Sequence, residues 1–402
     1  MKRPFTPRWR LSGHLLPVKF AVVLLHPKSP HYPGRIALSG KLRTVRWRNF
    51  VSMRLAAWSL GRRTDQARRQ DIAICRNLKV ETPMNVHKSL TGISRRQFLA
   101  AGSLAAGTAL FARRSLFAAE EGIVPTMVHA AATAKITIQP IRRNIFVLAG
   151  SGGNIAVLTG RDGKLLVDSG FAVSRQPISD ALTSISRDPI RHLINTHWHT
   201  DHTDGNEWLH AAGAAITAHE NTRKRLAVQT RVAGWDYTFP AVAKGALPAT
   251  VFATGHEMRH NGTRIVLNYY LPAHTDSDIS VSFTEADVVH VGDTWWNGAY
   301  PFIDYSTGGS IDGQIRAAET NLATLAAGIL VIPGHGPVGG RAELAEFRDM
   351  LLTIREKVAA LKNQGRSQAE TVAAKPTAAF DAKWGNFLIS PAAFTGLVYR
   401  GV

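Results

Sequence analysis

At 402 residues the chain is long enough for two domains, but its charge is unevenly spread. The first 83 residues carry 18 Lys and Arg against 3 Asp and Glu, which is +15 of the formal +19, and the remaining 30 basic and 26 acidic residues make a nearly neutral globular chain. The nucleic-acid or anionic-membrane partner suggested by a pI near 10.5 is thereby confined to the N-terminal segment, and a lone cysteine, Cys75, excludes an internal disulfide and any cysteine ligand or nucleophile further on.

Residues 1–83 are rich in Pro, Arg and Trp without clear periodicity, which supports neither a core nor a nucleic-acid module. They read as a disordered basic extension or as upstream sequence translated from a start placed too early. Ser94-Arg95-Arg96-Gln97-Phe98-Leu99 comes next, followed by an uncharged Ala/Gly-rich run from Ala100 to Ala112. This matches a twin-arginine export signal, and Met84 would give it a charged leader of ordinary length. The apolar run is too short for a stable membrane span. Residues 84–134 are therefore expected to be signal peptide and linker. The expected partner is the twin-arginine export machinery, and the expected location is periplasmic or secreted. Processing points lie near Ala119 and at Ala132-Thr133-Ala134, and the sequence does not choose between them.

From residue 135 to 402 a single domain is expected. Alternating Ile136 and Ile138, then Ile145–Leu148, Ile155–Leu158 and Lys164–Val167, separated by Gly150-Ser151-Gly152-Gly153 and Arg161-Asp162-Gly163, read as an antiparallel meander. Ile178, Ala181, Leu182 and Ile185 recur at helical spacing and predict a helix over Arg175–Ile185. Arg191–Asn195 reads as strand, Gly205–Ala212 as helix and Ala215–Ala218 as strand. A polar and aromatic insertion with Trp235, Tyr237 and Phe239 precedes strands at Arg264–Tyr270, Ile279–Phe283 and Val288–Val291. Helix Ile315–Ala326, strand Ile329–Ile332 and a long amphipathic helix Leu344–Leu361 stopping near Gly365 come after them, and Ser367 with Glu370 offers a capping box for another helix. This order predicts two packed sheets with helices outside.

The strand Arg191–Asn195 delivers Thr196-His197-Trp198-His199-Thr200-Asp201-His202, with three histidines and an aspartate in six residues. Neutral imidazoles and a carboxylate on one loop suit zinc or iron better than magnesium or calcium. Three more candidates sit just past strand signals: His274 in Pro272-Ala273-His274-Thr275, Asp293 in Gly292-Asp293-Thr294, and His335 in Pro333-Gly334-His335-Gly336. His192, His210, His219 and His290 fall outside this pattern and read as structural.

In these motifs the chain resembles the metallo-β-lactamase superfamily from about Ile136 to at least Val338. The resemblance implies an α/β fold, a four-layer αββα sandwich with the site on one edge. It assigns His197, His199 and His274 to a first metal, Asp201, His202 and His335 to a second, and Asp293 to a bridge between them. Two Zn2+ ions are implied, with iron possible at one or both positions. The implied chemistry is attack by a metal-bridging hydroxide on a carbonyl, with the leaving group stabilised by the second metal or protonated through the catalytic group Asp201. Asp168, at the end of a strand, would orient a histidine ligand.

Gly292-Asp293-Thr294 at the bridging position resembles glyoxalase II-like thioesterases and lactonases, and no cysteine is available for the cysteine-ligand class. The expected substrate is a small molecule with an ester, thioester or lactone. A β-lactam hydrolase and an iron-dependent oxidoreductase or dioxygenase of the same fold are the alternatives. No nucleic-acid partner is expected for the exported part. Trp295, Trp296, Tyr300, Phe302 and Tyr305 are read either as a wall of the substrate pocket or as ordinary packing.

Overall fold

A computed structural model describes residues 122–402. The basic extension, the twin-arginine motif and Ala119 lie outside the described residues. The final stretch of the expected signal and linker does not: α1 (Ile123–Thr133) is a helix, with Val124, Met127 and Ala131 buried. Ala131 accepts a hydrogen bond from the buried Ser174 hydroxyl at 3.0 Å. The folded part thus begins before residue 135, where sequence reading placed it. Sequence reading overlooked α1 because its small, uncharged residues look like the tail of an export signal.

The meander is present: β1 (Thr137–Pro140), β2 (Ile145–Ala149), β3 (Ile155–Leu158) and β4 (Lys164–Val167) pair antiparallel in sequence order. Helix α2 (Arg175–Ile185) then crosses to β5 (Ile190–Ile194), which lies parallel to β4. The single turn α3 (Thr200–Thr203) and helix α4 (Asn206–Ala211) lead to β6 (Ala215–His219), followed by α5 (Glu220–Leu226). A small hairpin, β7 (Thr230–Val232) and β8 (Tyr237–Phe239), occupies the aromatic insertion. Strand β9 (Thr250–Phe252) closes the seven-stranded first sheet, in the order β1-β2-β3-β4-β5-β6-β9.

The second sheet has five strands in sequence order: β10 (Gly255–His260), β11 (Thr263–Tyr269), β12 (Ile279–Phe283), β13 (Val288–His290) and β14 (Leu330–Ile332). The first four pair antiparallel, and β14 joins β13 in parallel after α6 (Ile311–Thr324). Helices α7 (Arg341–Asn363), α8 (Gln368–Ala373), α9 (Asp381–Trp384) and α10 (Pro391–Gly401) complete the chain. The capping box before α8 is formed: Ser367 Oγ accepts from the Glu370 amide at 3.3 Å, and the Glu370 carboxylate accepts from the Ser367 amide at 2.8 Å.

Alternation along the strands produces the layers. Ile145, Val147, Leu165, Val167 and Ile194 of the first sheet meet Ile265, Leu267, Val281, Phe283 and Ile332 of the second in one buried cluster. Their neighbours Leu148, Val157, Leu166, Leu193 and Ile216 point the other way, under Ile178 and Leu182 of α2 and Leu209 of α4. Val289 and Val331 of the second sheet are covered by Ile315 of α6, Phe347, Leu351 and Ile354 of α7, and Phe394 and Val398 of α10. The result is the αββα sandwich, because a sheet that is apolar on both faces needs a cover on each side.

Candidate metal centre

Parallel pairing fixes where the loops emerge. β4 and β5 end together, with Val167 opposite Ile194, so Asp168 and the loop carrying the histidines leave the same edge. Asp168 has a φ of 67°, a left-handed conformation that is uncommon without a local hydrogen-bond anchor. Its carboxylate accepts from the Thr196 amide, the Thr196 hydroxyl and His202 Nδ1, each at 2.7 Å. One buried acid therefore shapes the loop and fixes which nitrogen of His202 faces the site. In the second sheet β13 and β14 also run parallel, and they release Asp293 and His335 side by side. The Gly334 amide donates to Gly292 O at 2.7 Å. A Cβ on Gly334 would sit 1.8 Å from Asp293 Oδ1, so only glycine lets the two loops meet here. Gly153 allows a similar approach on the other side, where a Cβ would fall 2.1 Å from His202 Cε1.

All seven residues assigned from sequence come together, and all are buried. They form two groups, His197, His199, His274 and Asp293, and Asp201, His202 and His335, with the donor atoms of each group within 4.8 Å of one another. Asp293 faces both. Its Oδ2 lies 3.4 Å from His274 Nε2 and 3.8 Å from His197 Nε2, while Oδ1 lies 3.1 Å from His202 Nε2. His335 Nε2 is 3.1 Å from Asp201 Oδ2 and 3.4 Å from Asp293 Oδ2.

The second nitrogen of four histidines is anchored outside the cluster. His197 Nδ1 meets the Thr196 hydroxyl at 3.1 Å, His199 Nε2 meets Asp304 at 3.1 Å, His202 Nδ1 meets Asp168, and His274 Nδ1 meets Phe302 O at 2.8 Å. The nitrogens that remain point inward. Among them His197 Nε2, His202 Nε2 and His335 Nε2 are buried with no hydrogen-bond partner, as is Asp293 Oδ1. Leaving a buried polar atom unsatisfied costs about 1–3 kcal/mol each. Four such atoms converging on one point make a poor hydrogen-bond network and a fitting cation site. With imidazole and carboxylate donors converging in each, the two groups could hold metal ions.

Electrostatics within the cluster follow from burial and close packing. Burial and the neighbouring His202 hold His197 well below the ordinary imidazole range, and burial lowers His274 to about 4. Both are therefore neutral and ready to ligate at neutral pH. Burial also disfavours charge on His335 and His202, but facing carboxylates win: Asp293 and Asp201 raise His335 to about 9, and Asp293, Asp201 and Asp168 raise His202 well above its usual value. Against the cost of burial, His202 and His335 keep Asp201 ionised, and the surrounding histidines do the same for Asp293. Asp201 is thus a carboxylate at rest. A role as proton donor requires that it first accept a proton.

Sequence reading left three sets of supporting residues unassigned. Asp304 orients His199, and its Oδ2 also accepts from the Thr307 hydroxyl at 2.6 Å, which in turn accepts from Trp198 Nε1 at 3.2 Å. Gln314 Nε2 donates to Asp293 O at 2.8 Å. Trp235 lies 4.8 Å from the His199 ring, and Phe387 lies 6.0 Å from the His335 ring. Spacing in the chain carries no hint of Asp304, which lies 105 positions beyond its partner. The five aromatic residues after Asp293 divide. Trp296 lies 4.3 Å from the His335 ring and Phe302 6.2 Å from that of His199, so these two border the site. Trp295 is fully buried, Tyr300 stacks on Phe394 at 4.7 Å, and Tyr305 lies against Gly401. These three serve packing. His192, His210, His219 and His290 all stand outside both groups.

Comparison with known proteins agrees with this geometry. The sequence profile of the Metallo-beta-lactamase superfamily matches residues 148–343, and the chain carries a domain of that superfamily. No curated protein is matched. Among solved structures the fold is similar to the stereoselective inverting sec-alkylsulfatase Pisa1 from Pseudomonas sp., at 14% identity and a TM-score of 0.50, covering 69% of this chain and 52% of that one. A double mutant of the same sulfatase gives 16% identity at the same TM-score and coverage. The DIM-1 metallo-beta-lactamase gives 19% identity and a TM-score of 0.44, covering 55% of this chain and 98% of that one. The chain spans about half the length of the sulfatase structures.

Proposed function

We propose that this protein is a dinuclear zinc hydrolase acting on an ester, thioester or lactone. The observation that carries the reading is Asp293, whose carboxylate faces both ligand groups at once: Oδ2 lies near His197 and His274 of the first, and Oδ1 near His202 and Oδ2 near His335 of the second. His197, His199 and His274 would hold one ion and Asp201, His202 and His335 the other. Bound there, the pair supplies a hydroxide at neutral pH and polarises the scissile carbonyl.

The chain's own residues do the rest. Asp168 and Asp304 fix the tautomers of His202 and His199, so the donor nitrogens point inward before any ligand arrives. Asp201, ionised at rest, accepts the proton released on attack and passes it to the departing oxygen or sulfur. Trp235, Phe302 and Trp296 exclude water on the two flanks.

Export by the twin-arginine machinery to the periplasm belongs to the same reading, and rests on Ser94–Leu99 and the apolar run behind it. Host-expressed protein recovered from the periplasm and assayed for bound metal tests both parts. Two zinc ions per chain and turnover of esters, thioesters or lactones are expected. Turnover confined to sulfate esters, phosphodiesters or β-lactams would overturn the carbonyl assignment, and iron at both positions would overturn zinc.

A further inference from the structure

We propose that α1 is a permanent strap of the mature protein that sets the apolar rim of the metal centre, so that any cleavage maturing the chain falls before Ile123. The inference rests on the hydrolase reading only for its substrate, an ester or lactone with an apolar group near the scissile bond.

Four observations support it. First, α1 has no Asp, Glu, Lys or Arg among its eleven residues, Ile123–Thr133, and Val124, Met127 and Ala131 are buried at 4%, 6% and 3% exposure. That is a core-facing surface, and a linker awaiting removal does not need one. Second, Ile123, Met127, Val128 and Ala131 share one cluster with Phe171 and Leu388, joining the loop after β4 to the segment before α10.

Third, both partners adjoin the second ligand group. A Cβ on Gly152 would meet Asp201 Cβ at 2.6 Å and Phe171 Cε2 at 3.0 Å, so Phe171 and Asp201 flank the same glycine. Leu388 comes directly after Phe387, whose ring lies 6.0 Å from His335 and 5.9 Å from Trp296. Fourth, the Ser174 hydroxyl, fully buried, donates to Ala131 O in the last turn of α1. Cleavage at Ala132-Thr133-Ala134 would free the whole helix, expose Phe171 and release one side of Leu388. Cleavage near Ala119 leaves every one of these contacts in place.

Two measurements on full-length protein expressed in an exporting host test the proposal. The mass of the mature protein is expected to place its N-terminus at or before Ile123, unprocessed chain included. An N-terminus at Ala132 to Lys135 on folded, metal-loaded protein would overturn it, whatever the substrate proves to be.

The second measurement compares Met127→Ala and Ile123→Ala with the parent on two esters, one with a long alkyl acyl group and an acetyl counterpart. KM for the long ester is expected to rise several-fold in both variants, with kcat, KM for the acetyl ester and zinc content unchanged. Equal changes on both esters would mark α1 as support for the fold alone and overturn the rim assignment. If neither ester turns over while the N-terminus lies before Ile123, the carbonyl reading fails and the strap stands.

Discussion

At the scale of single residues the centre depends on groups that never touch an ion. Asp304 makes the clearest case. Its hydrogen bond to His199 Nε2 leaves Nδ1, 2.8 Å from His274 Nε2, as the inward donor. Asp304→Ala is expected to weaken zinc binding about 10–100-fold, read by chelator competition, and Asp304→Asn, which can still accept from the ring, to lose less. Equal affinity in all three proteins would remove Asp304 from the centre. Gly153→Ala addresses nuclearity: its methyl group would occupy the space of the His202 ring. The variant is expected to keep about one zinc per chain, held by the group that lacks His202. The pattern His197 to His202 was legible in the sequence because consecutive ligands on one loop leave a compact signature. Asp304, Thr196 and Gln314 were not, since hydrogen bonds between distant loops leave no periodicity to read.

The same residues set a pH dependence. In metal-free protein His335 titrates near 9, above its ordinary 6.5, because Asp293 and Asp201 outweigh its burial. A raised folded value means that its contribution to stability is complete below 6.5 and is lost as pH climbs through about 9. His274, lowered to about 4, is already neutral across that interval and does not oppose the trend. The melting temperature of chelator-treated protein is therefore expected to fall between pH 6.5 and 9. A flat or rising profile would show that the carboxylates do not hold His335 charged.

At the scale of elements, strands and helices with strong apolar rhythm were readable to within a few residues. Arg175–Ile185 and Ile279–Phe283 occupy the predicted ranges, and the long amphipathic helix extends to Arg341–Asn363. β10 was missed for a physical reason. Gly255–His260 is an edge strand of mostly polar residues, half of them exposed, and its pairing with β11, aided by Glu257 against Arg264 at 2.6 Å, replaces the apolar alternation that would mark it. The hairpin β7–β8 and helix α10 were missed because their packing partners lie far away in sequence. Buried positions on the outer helices support the sandwich without entering the site. Phe347 in α7 is fully buried and lies 5.8 Å from Trp384. Phe347→Ala is expected to cost about 3–5 kcal/mol of stability, measured by urea unfolding, with zinc stoichiometry unchanged. A loss below about 1 kcal/mol would mean that the helical layer repacks freely.

At the scale of the molecule, the two sheets act as jaws around the ligands. Asn154, at the start of β3, crosses between them: its amide donates to Gly334 O at 2.8 Å, and its side chain donates to Pro333 O and Gly336 O, both at 2.9 Å. His290 Nε2 donates to Asn154 O at 3.0 Å, so a histidine outside the metal groups helps to hold the jaws together. An ion bound between them stabilises the folded chain by mass action, by about 2.7 kcal/mol at a free concentration one hundred times its Kd. For a domain of this size that raises the melting temperature by about 5 °C. Calorimetry of metal-free protein titrated with zinc is expected to show such a rise, together with recovery of activity. No shift on zinc addition would argue against a site at this edge.

The division of ligands between the sheets also bears on the order of events during synthesis. His197, His199, Asp201 and His202 belong to the half completed by β9, whereas His274, Asp293 and His335 emerge only with the second half. Neither half owns all the donors of either group. On the dinuclear reading proposed above, a nascent chain that has made only the first sheet carries two of the four donors of one group and two of the three of the other, and the second group is complete only when His335 closes against Asp201. On that reading, metal content would record completed folding.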